Sequence, residues 1–170
     1  VGFQVHDIDG DGSAEVIYCR DFELCIADGR TGSVRAKAPT PESRPPADRY
    51  PRILGDCLFF CDVSGRGRAT DILVKDRYWH FWVLTDHLEP LWEASCRTGH
   101  YPFAADVDGD GHDELAVGYA LFDHDGTLLW NLEDRIHDHA DGIAIVDFGG
   151  TPASALRLFY AASDGGAVFV

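Results

Sequence analysis

Short apolar runs alternate along the chain with bends rich in Asp and Gly, and one arrangement recurs. An apolar run ends in an acidic bend, and a second apolar run follows at once. Four segments share this form: GFQVHDIDGDGSAEVIYC from Gly2, LFFCDVSGRGRATDILV from Leu58, PFAADVDGDGHDELAVG from Pro102 and IAIVDFGGTPASALRLFY from Ile143. Their leading aspartates, Asp7, Asp62, Asp106 and Asp147, stand 55, 44 and 41 residues apart.

Downstream of the bends the pattern stays in phase. FELCIADGRTGSVRAKA from Phe22, WHFWVLTDHLEPLWEAS from Trp79 and YALFDHDGTLLWNLE from Tyr119 each read as strand, tight turn, strand. Asp28-Gly29 and Asp125-Gly126 supply turn residues tolerant of positive φ, between flanks rich in branched and aromatic side chains. No segment carries a 3.6-residue apolar stripe long enough for a helix. Each unit is therefore four short strands, and a period of roughly 40–50 residues is that of a β-propeller blade.

The expectation is an all-β chain of four-stranded antiparallel propeller blades. About three and a half blades form part of a larger ring of seven or eight. Blade 1 covers about 1–38, a linker 39–52, blade 2 about 53–97, blade 3 about 98–137 and a partial blade 4 about 138–170. The linker PTPESRPPADRYPR holds five prolines, which a central strand excludes, and reads as an exposed excursion. An open arc leaves a blade face and strand edges unpaired, so this piece alone should be marginal or self-associating.

At 170 residues, with 45% hydrophobic residues, the chain can build a core. Acidic residues outnumber basic ones 29 to 14, and a net charge of −15 repels nucleic acid. No apolar run approaches the roughly 20 residues that cross a bilayer, so membrane insertion is not expected. The chain opens inside a strand without Met or a leader and reads as an internal piece. The five cysteines have no metal-finger spacing and sit in strand-like runs, where a free Cys acts as a small buried hydrophobe; Cys19 with Cys25 is the one pair placed to bridge.

Part of the negative charge is concentrated. Asp7, Asp9, Asp11 and Glu15 stand at positions 1, 3, 5 and 9 of the first bend, and Asp106, Asp108, Asp110 and Glu114 at the same positions of the third. Carboxylates so close repel by several kcal/mol in a partly buried site unless a hard cation holds them. Glycines at positions 4 and 6 let the backbone curl, and position 7, Ser13 or His112, offers its backbone carbonyl. An EF-hand needs a Glu at position 12, where this chain has Tyr18 and Val117. Oxygen ligands favour Ca²⁺, so two Ca²⁺ sites are expected, which would bring −15 to −11. The second bend replaces its middle acids by Ser64 and Arg66, whose guanidinium is placed to stand in for an ion, and the fourth keeps only Asp147; neither is expected to bind metal.

Asp-x-Asp-Gly-Asp-Gly-x-x-Glu before an apolar strand, repeated at blade spacing, resembles the FG-GAP or VCBS repeats of calcium-binding β-propellers, known from integrin alpha chains and secreted bacterial proteins. The Phe-Gly and Gly-Ala-Pro signatures of that repeat are not intact here. ELAVGYALFDHDGTLLW from Glu114 and HDHADGIAIVDF from His137 look like the propeller of rhamnogalacturonan lyases. The resemblance implies a secreted or cell-surface protein whose partners are carbohydrate or another extracellular protein, with pectin-cleaving β-elimination as the alternative.

The residues preceding each first strand belong to the propeller face opposite the acidic bends. They include His100, Tyr101, Arg135, His137, His139 and Asp141. His100, Tyr101 and Asp141 are candidate ligand contacts. A lyase needs a base near the α-proton and a cation to neutralise the substrate carboxylate, for which His137 or His139 with Arg135 are the candidates. Tyr78, Trp79, Phe81, Trp82, Trp92 and Trp130 are read chiefly as packing between blades, with sugar stacking as the alternative.

Overall fold

The structure is a computed structural model describing residues 2–136, 138–146, 157–162 and 168–169, the last two stretches as strand backbone. Three four-stranded antiparallel sheets follow one another: β1 (Phe3–His6), β2 (Glu15–Arg20), β3 (Glu23–Asp28) and β4 (Val34–Pro39); β5 (Cys57–Cys61), β6 (Asp71–Lys75), β7 (His80–Leu84) and β8 (Pro90–Ser95); β9 (Phe103–Ala105), β10 (Glu114–Val117), β11 (Ala120–Phe122) and β12 (Leu128–Asn131). A fourth sheet holds β13 (Ala140–Val146), β14 (Arg157–Ala162) and β15 (Val168–Phe169). Every sheet is a simple meander, and no helix occurs among the described residues. The first strands β1, β5, β9 and β13 neighbour one another in turn, which is the inner rim of a propeller. The chain is all-β and its sheets are propeller blades in an unclosed arc.

The cores lie between blades. Ile17, Leu24 and Ile26 of the first blade meet Leu58, Ile72, Val74, Trp82 and Leu84 of the second. Cys61, Leu73, Phe81 and Val83 of the second meet Leu115, Val117, Ala120 and Phe122 of the third. Ile72 and Val74 thus face one neighbour and Leu73 the other, the period-two alternation of a strand buried on both sides. Phe81 sits edge-on to Trp92 and Phe122, and Trp82 is buried, so these aromatics pack the core, whereas Trp79 stays exposed.

The outermost strands β4, β8 and β12 alternate exposed and half-buried positions. Lys37, Glu93 and a leading Pro90 blunt these edges. The proline-rich excursion carries an isolated bridge between Glu42 and Arg52, and Ile53 at its end plugs into the first core, where its carbonyl accepts the Thr40 hydroxyl at 2.7 Å.

Two sequence expectations are corrected, and one turn is new. Cys25 pairs across β2–β3 with Tyr18 while Cys19 pairs with Leu24, so the two thiols lie on opposite faces, and all five cysteines are free. The β3–β4 turn takes its positive φ at Gly32 and not at Gly29. The β2–β3 turn uses Asp21 and Phe22, both with positive φ, without any glycine. The Asp147 bend, with the absence of metal expected there, lies outside the described residues, as does His137.

Candidate metal centres and the opposite face

The acidic bends join the first strand of each blade to the second. In each, the closing acid is the first residue of the second strand: Glu15 pairs with His6, and Glu114 with Ala105. That register turns the acid inward, where Glu15 and Glu114 are both buried. Each carboxylate accepts the backbone N–H of the residue after the leading Asp, from Ile8 at 3.3 Å and Val107 at 2.7 Å. The leading acids hold the curl, since Asp7 accepts Gly12 N–H at 3.1 Å and Asp106 accepts those of Gly109 and Gly111 at 2.6 and 3.0 Å.

Positions 1, 3 and 9 converge in both bends. One oxygen each from Asp7, Asp9 and Glu15, and likewise from Asp106, Asp108 and Glu114, lie within 4.8 Å of one another. Position 5 differs between them. Asp11 turns an oxygen to Ser13 N–H at 2.7 Å, whereas Asp110, besides accepting His112 N–H at 2.8 Å, also gathers with Glu114 and His124. The His112 ring meets the Val63 carbonyl at 2.8 Å and stacks on His124. Burial first, then the neighbouring carboxylates Asp108 and Asp110, raises the Glu114 carboxyl above its ordinary pKa; burial and Asp9 do the same to Glu15.

The two clusters differ in how that charge is met. In the first, Arg35 of β4 reaches in, its guanidinium 2.9 Å from Glu15 and 3.4 Å from Asp9, while also pairing with Asp28. Asp28 accepts the Thr31 N–H and hydroxyl besides Arg35, and its carboxyl is held down at about 2. Arg68 of the second blade lies over Gly10 and donates to the Asp9 carbonyl. Each bend nevertheless keeps one buried carboxylate oxygen with no hydrogen-bond partner, Asp7 Oδ1 in the first and, beside Asp106 and Asp108, Glu114 Oε1 in the third. A buried carboxylate oxygen left unmatched costs about 1–3 kcal/mol or more, which a hard cation between the acids removes. The donor set therefore fits Ca²⁺.

The second bend holds an acid that sequence reading missed. Asp71 pairs with Cys61 in the register of Glu15 and Glu114, is fully buried, and accepts the Ser64 N–H and hydroxyl at 2.8 and 2.9 Å. The available signal was an acid just before the strand ILVK, displaced by one residue. Arg66 does not fill this bend but pairs with Asp86 at 3.0 Å. Neighbouring bends are stitched together: Asp62 N–H donates to the Asp113 carboxylate at 2.8 Å, and Asp113 N–H returns to the Asp62 carbonyl at 3.0 Å.

At the opposite end of the blades lie the β6–β7 turn and the connections entering β9 and β13. His100, His139 and Asp141 gather there, with Tyr78 packed against both imidazoles. A cavity of about 340 Å³ alongside is lined by Tyr78, Trp79, Arg97, Gly99, Asp138 and His139. Arg97 is anchored by the carbonyls of Glu133 and Ile136, and Trp79 is 40% exposed. Tyr101 is exposed on the same connection as His100. Arg135 lies in the turn before β13, its N–H donating to the Leu132 carbonyl.

No family model and no curated protein matches the chain. Solved structures do. The V. cholerae biofilm matrix protein Bap1 is similar over 96% of this chain and 24% of its own, with 21% identity and a TM-score of 0.71. The rhamnogalacturonan lyase YesW is similar over 96% of this chain and 36% of its own, with 22% identity and a TM-score of 0.73. The Bacillus licheniformis rhamnogalacturonan lyase PL11 is similar over 95% and 35%, with 20% identity and a TM-score of 0.73. The chain spans about a quarter to a third of the length of these proteins, and at such identity the likeness is one of fold.

Proposed function

We propose that the chain is a calcium-stabilised stretch of an extracellular β-propeller, of the FG-GAP or VCBS kind, whose blades present a binding face for carbohydrate or protein. The observation that carries this reading is the unmatched buried oxygen of Glu114, set among Asp106 and Asp108 in a bend whose layout the Asp7 bend repeats. Asp110, Asp11 and the carbonyls of Ser13 and His112 complete the two oxygen shells. The metal's role is to clamp the turn between inner strands. Secretion follows from calcium supply, because free Ca²⁺ near millimolar outside cells matches modular sites of this strength.

The first blade leaves Phe3 and Val5 exposed, a face suited to a preceding blade of a larger ring. The binding face is the one opposite the acidic bends, where exposed Trp79 and Tyr101 offer aromatic surface to sugar rings beside Arg97.

Isothermal titration with Ca²⁺ tests the metal assignment: Asp9→Ala together with Asp108→Ala should abolish uptake, and unchanged uptake would refute it. A lyase is the second reading, favoured by an imidazole, His139, lining a cavity that also holds Arg97. It predicts growing ultraviolet absorbance from unsaturated uronide when the protein meets pectic polysaccharide; a flat trace across neutral pH removes it.

A further inference from the structure

The cluster at the opposite end from the acidic bends has a different donor chemistry: two imidazoles and one carboxylate. His100 Nε2 lies 3.5 Å and His139 Nε2 3.0 Å from the same oxygen, Asp141 Oδ1. All three donor atoms fall within 4.8 Å of one another. A tetrahedral Zn²⁺ with bonds of about 2.0–2.2 Å holds its donors roughly 3.3–3.6 Å apart, close to the two spacings at Asp141.

The surroundings orient these groups. The second ring nitrogen of His139, Nδ1, lies 3.0 Å from the Asp138 carboxylate, the outer partner that fixes a metal-binding imidazole with its lone pair on Nε2. His100 is tied to β13 by its N–H on the Ala140 carbonyl at 2.9 Å, and Gly99 takes a positive φ in a space where a Cβ would strike that carbonyl. The β13–β14 register then shifts between Ala140 and Gly142, leaving Asp141 as the unpaired residue of a bulge. A bulge re-aims a side chain, and here it brings the carboxylate to both imidazoles.

We propose that His100, His139 and Asp141 bind a divalent transition-metal ion of the Zn²⁺ class, separate from the calcium bends and on the other face of the blades. Imidazole selects such ions over Ca²⁺, which prefers oxygen. The three side chains are 36–41% exposed, so the site keeps open coordination positions towards solvent and the cavity beside Trp79 and Arg97. A metal on Nε2 takes the lone pair that His139 would need to act as a base.

The test is titration of the protein with Zn²⁺ in excess Ca²⁺, with Co²⁺ as a spectroscopic probe. One equivalent of Zn²⁺ should bind, Co²⁺ should show visible ligand-field bands, and the imidazole resonances of His100 and His139 should shift in the unmutated protein. His139→Ala or Asp141→Asn should abolish uptake, Asp138→Asn should weaken it about 10–100-fold, and Asp108→Asn should leave it intact. No uptake, uptake displaced by Ca²⁺, or unshifted His100 and His139 resonances would overturn the proposal. The resonance shifts keep the test decisive should a variant misfold.

Discussion

Replacing Arg35 by Gln should strengthen calcium binding at the Asp7 bend and leave the Asp106 bend untouched. The guanidinium contacts Glu15 and Asp9, two of the three acids gathered there, and is itself anchored on Asp28. Adding a Ca–O bond to a hydrogen-bond length places the charge ~5 Å from an ion held by those oxygens. Repulsion between charges of +2 and +1 at that distance is about 1.7 kcal/mol in bulk water and roughly 7 kcal/mol at an effective dielectric of about 20. The Arg35 side chain is 38% exposed, so solvent screening keeps the figure near the lower end. About 1.5–2.5 kcal/mol corresponds to roughly twelve- to sixtyfold in affinity. Both bends keep one unmatched buried oxygen, but among the described residues no arginine pairs with the gathered acids of the third, so it should fill first. Calorimetry on an Asp108→Asn background isolates the first bend, and Arg35→Gln on that background should lower its Kd at least about tenfold. An unchanged Kd, or a first bend that outbinds the third in the unmutated chain, would refute the reasoning.

Other outcomes follow from the same geometry. Glu15 and Glu114 are raised above 4.5, so the folded state holds their protons more tightly than the unfolded chain; calcium-free protein should gain stability as pH falls from neutral towards 4.5 and lose it as pH rises through the raised values. Calcium should reverse that slope, and melting curves in chelator and in excess Ca²⁺ read both. Phe81→Ala removes a fully buried ring between the second and third blades and should cost about 3–5 kcal/mol in urea unfolding. Asp71→Ala strands the half-buried Ser64 N–H and hydroxyl and should cost about 1–3 kcal/mol, with calcium uptake unaltered.

Local pattern made the blades readable. The strand that ends at Ala105 and the strand that begins at Glu114 lie within about ten residues of each other, so composition and spacing suffice to place them. Asp71 escaped because one extra residue shifts it out of the nine-position frame, although its pairing with Cys61 restores the register. Arg35 and Arg68 escaped for another reason: one arrives from the outermost strand and the other from the next blade, and no local pattern encodes such a contact. The turn at Asp21 and Phe22 lacks the glycine that marks left-handed backbone. Their place before a first strand did bring His139 and Asp141 to notice, but their meeting with His100 depends on the bulge and on Gly99, which only the backbone reveals.

The strands buried on both faces make the arc behave as a one-dimensional lattice. Each inner blade lends alternate side chains to two separate cores, so its stability is shared with both flanking units and belongs to neither alone. Unravelling is therefore expected to start at a terminal blade and advance one interface at a time. Joining the ends into a ring would abolish that starting point and turn stepwise fraying into a single cooperative loss.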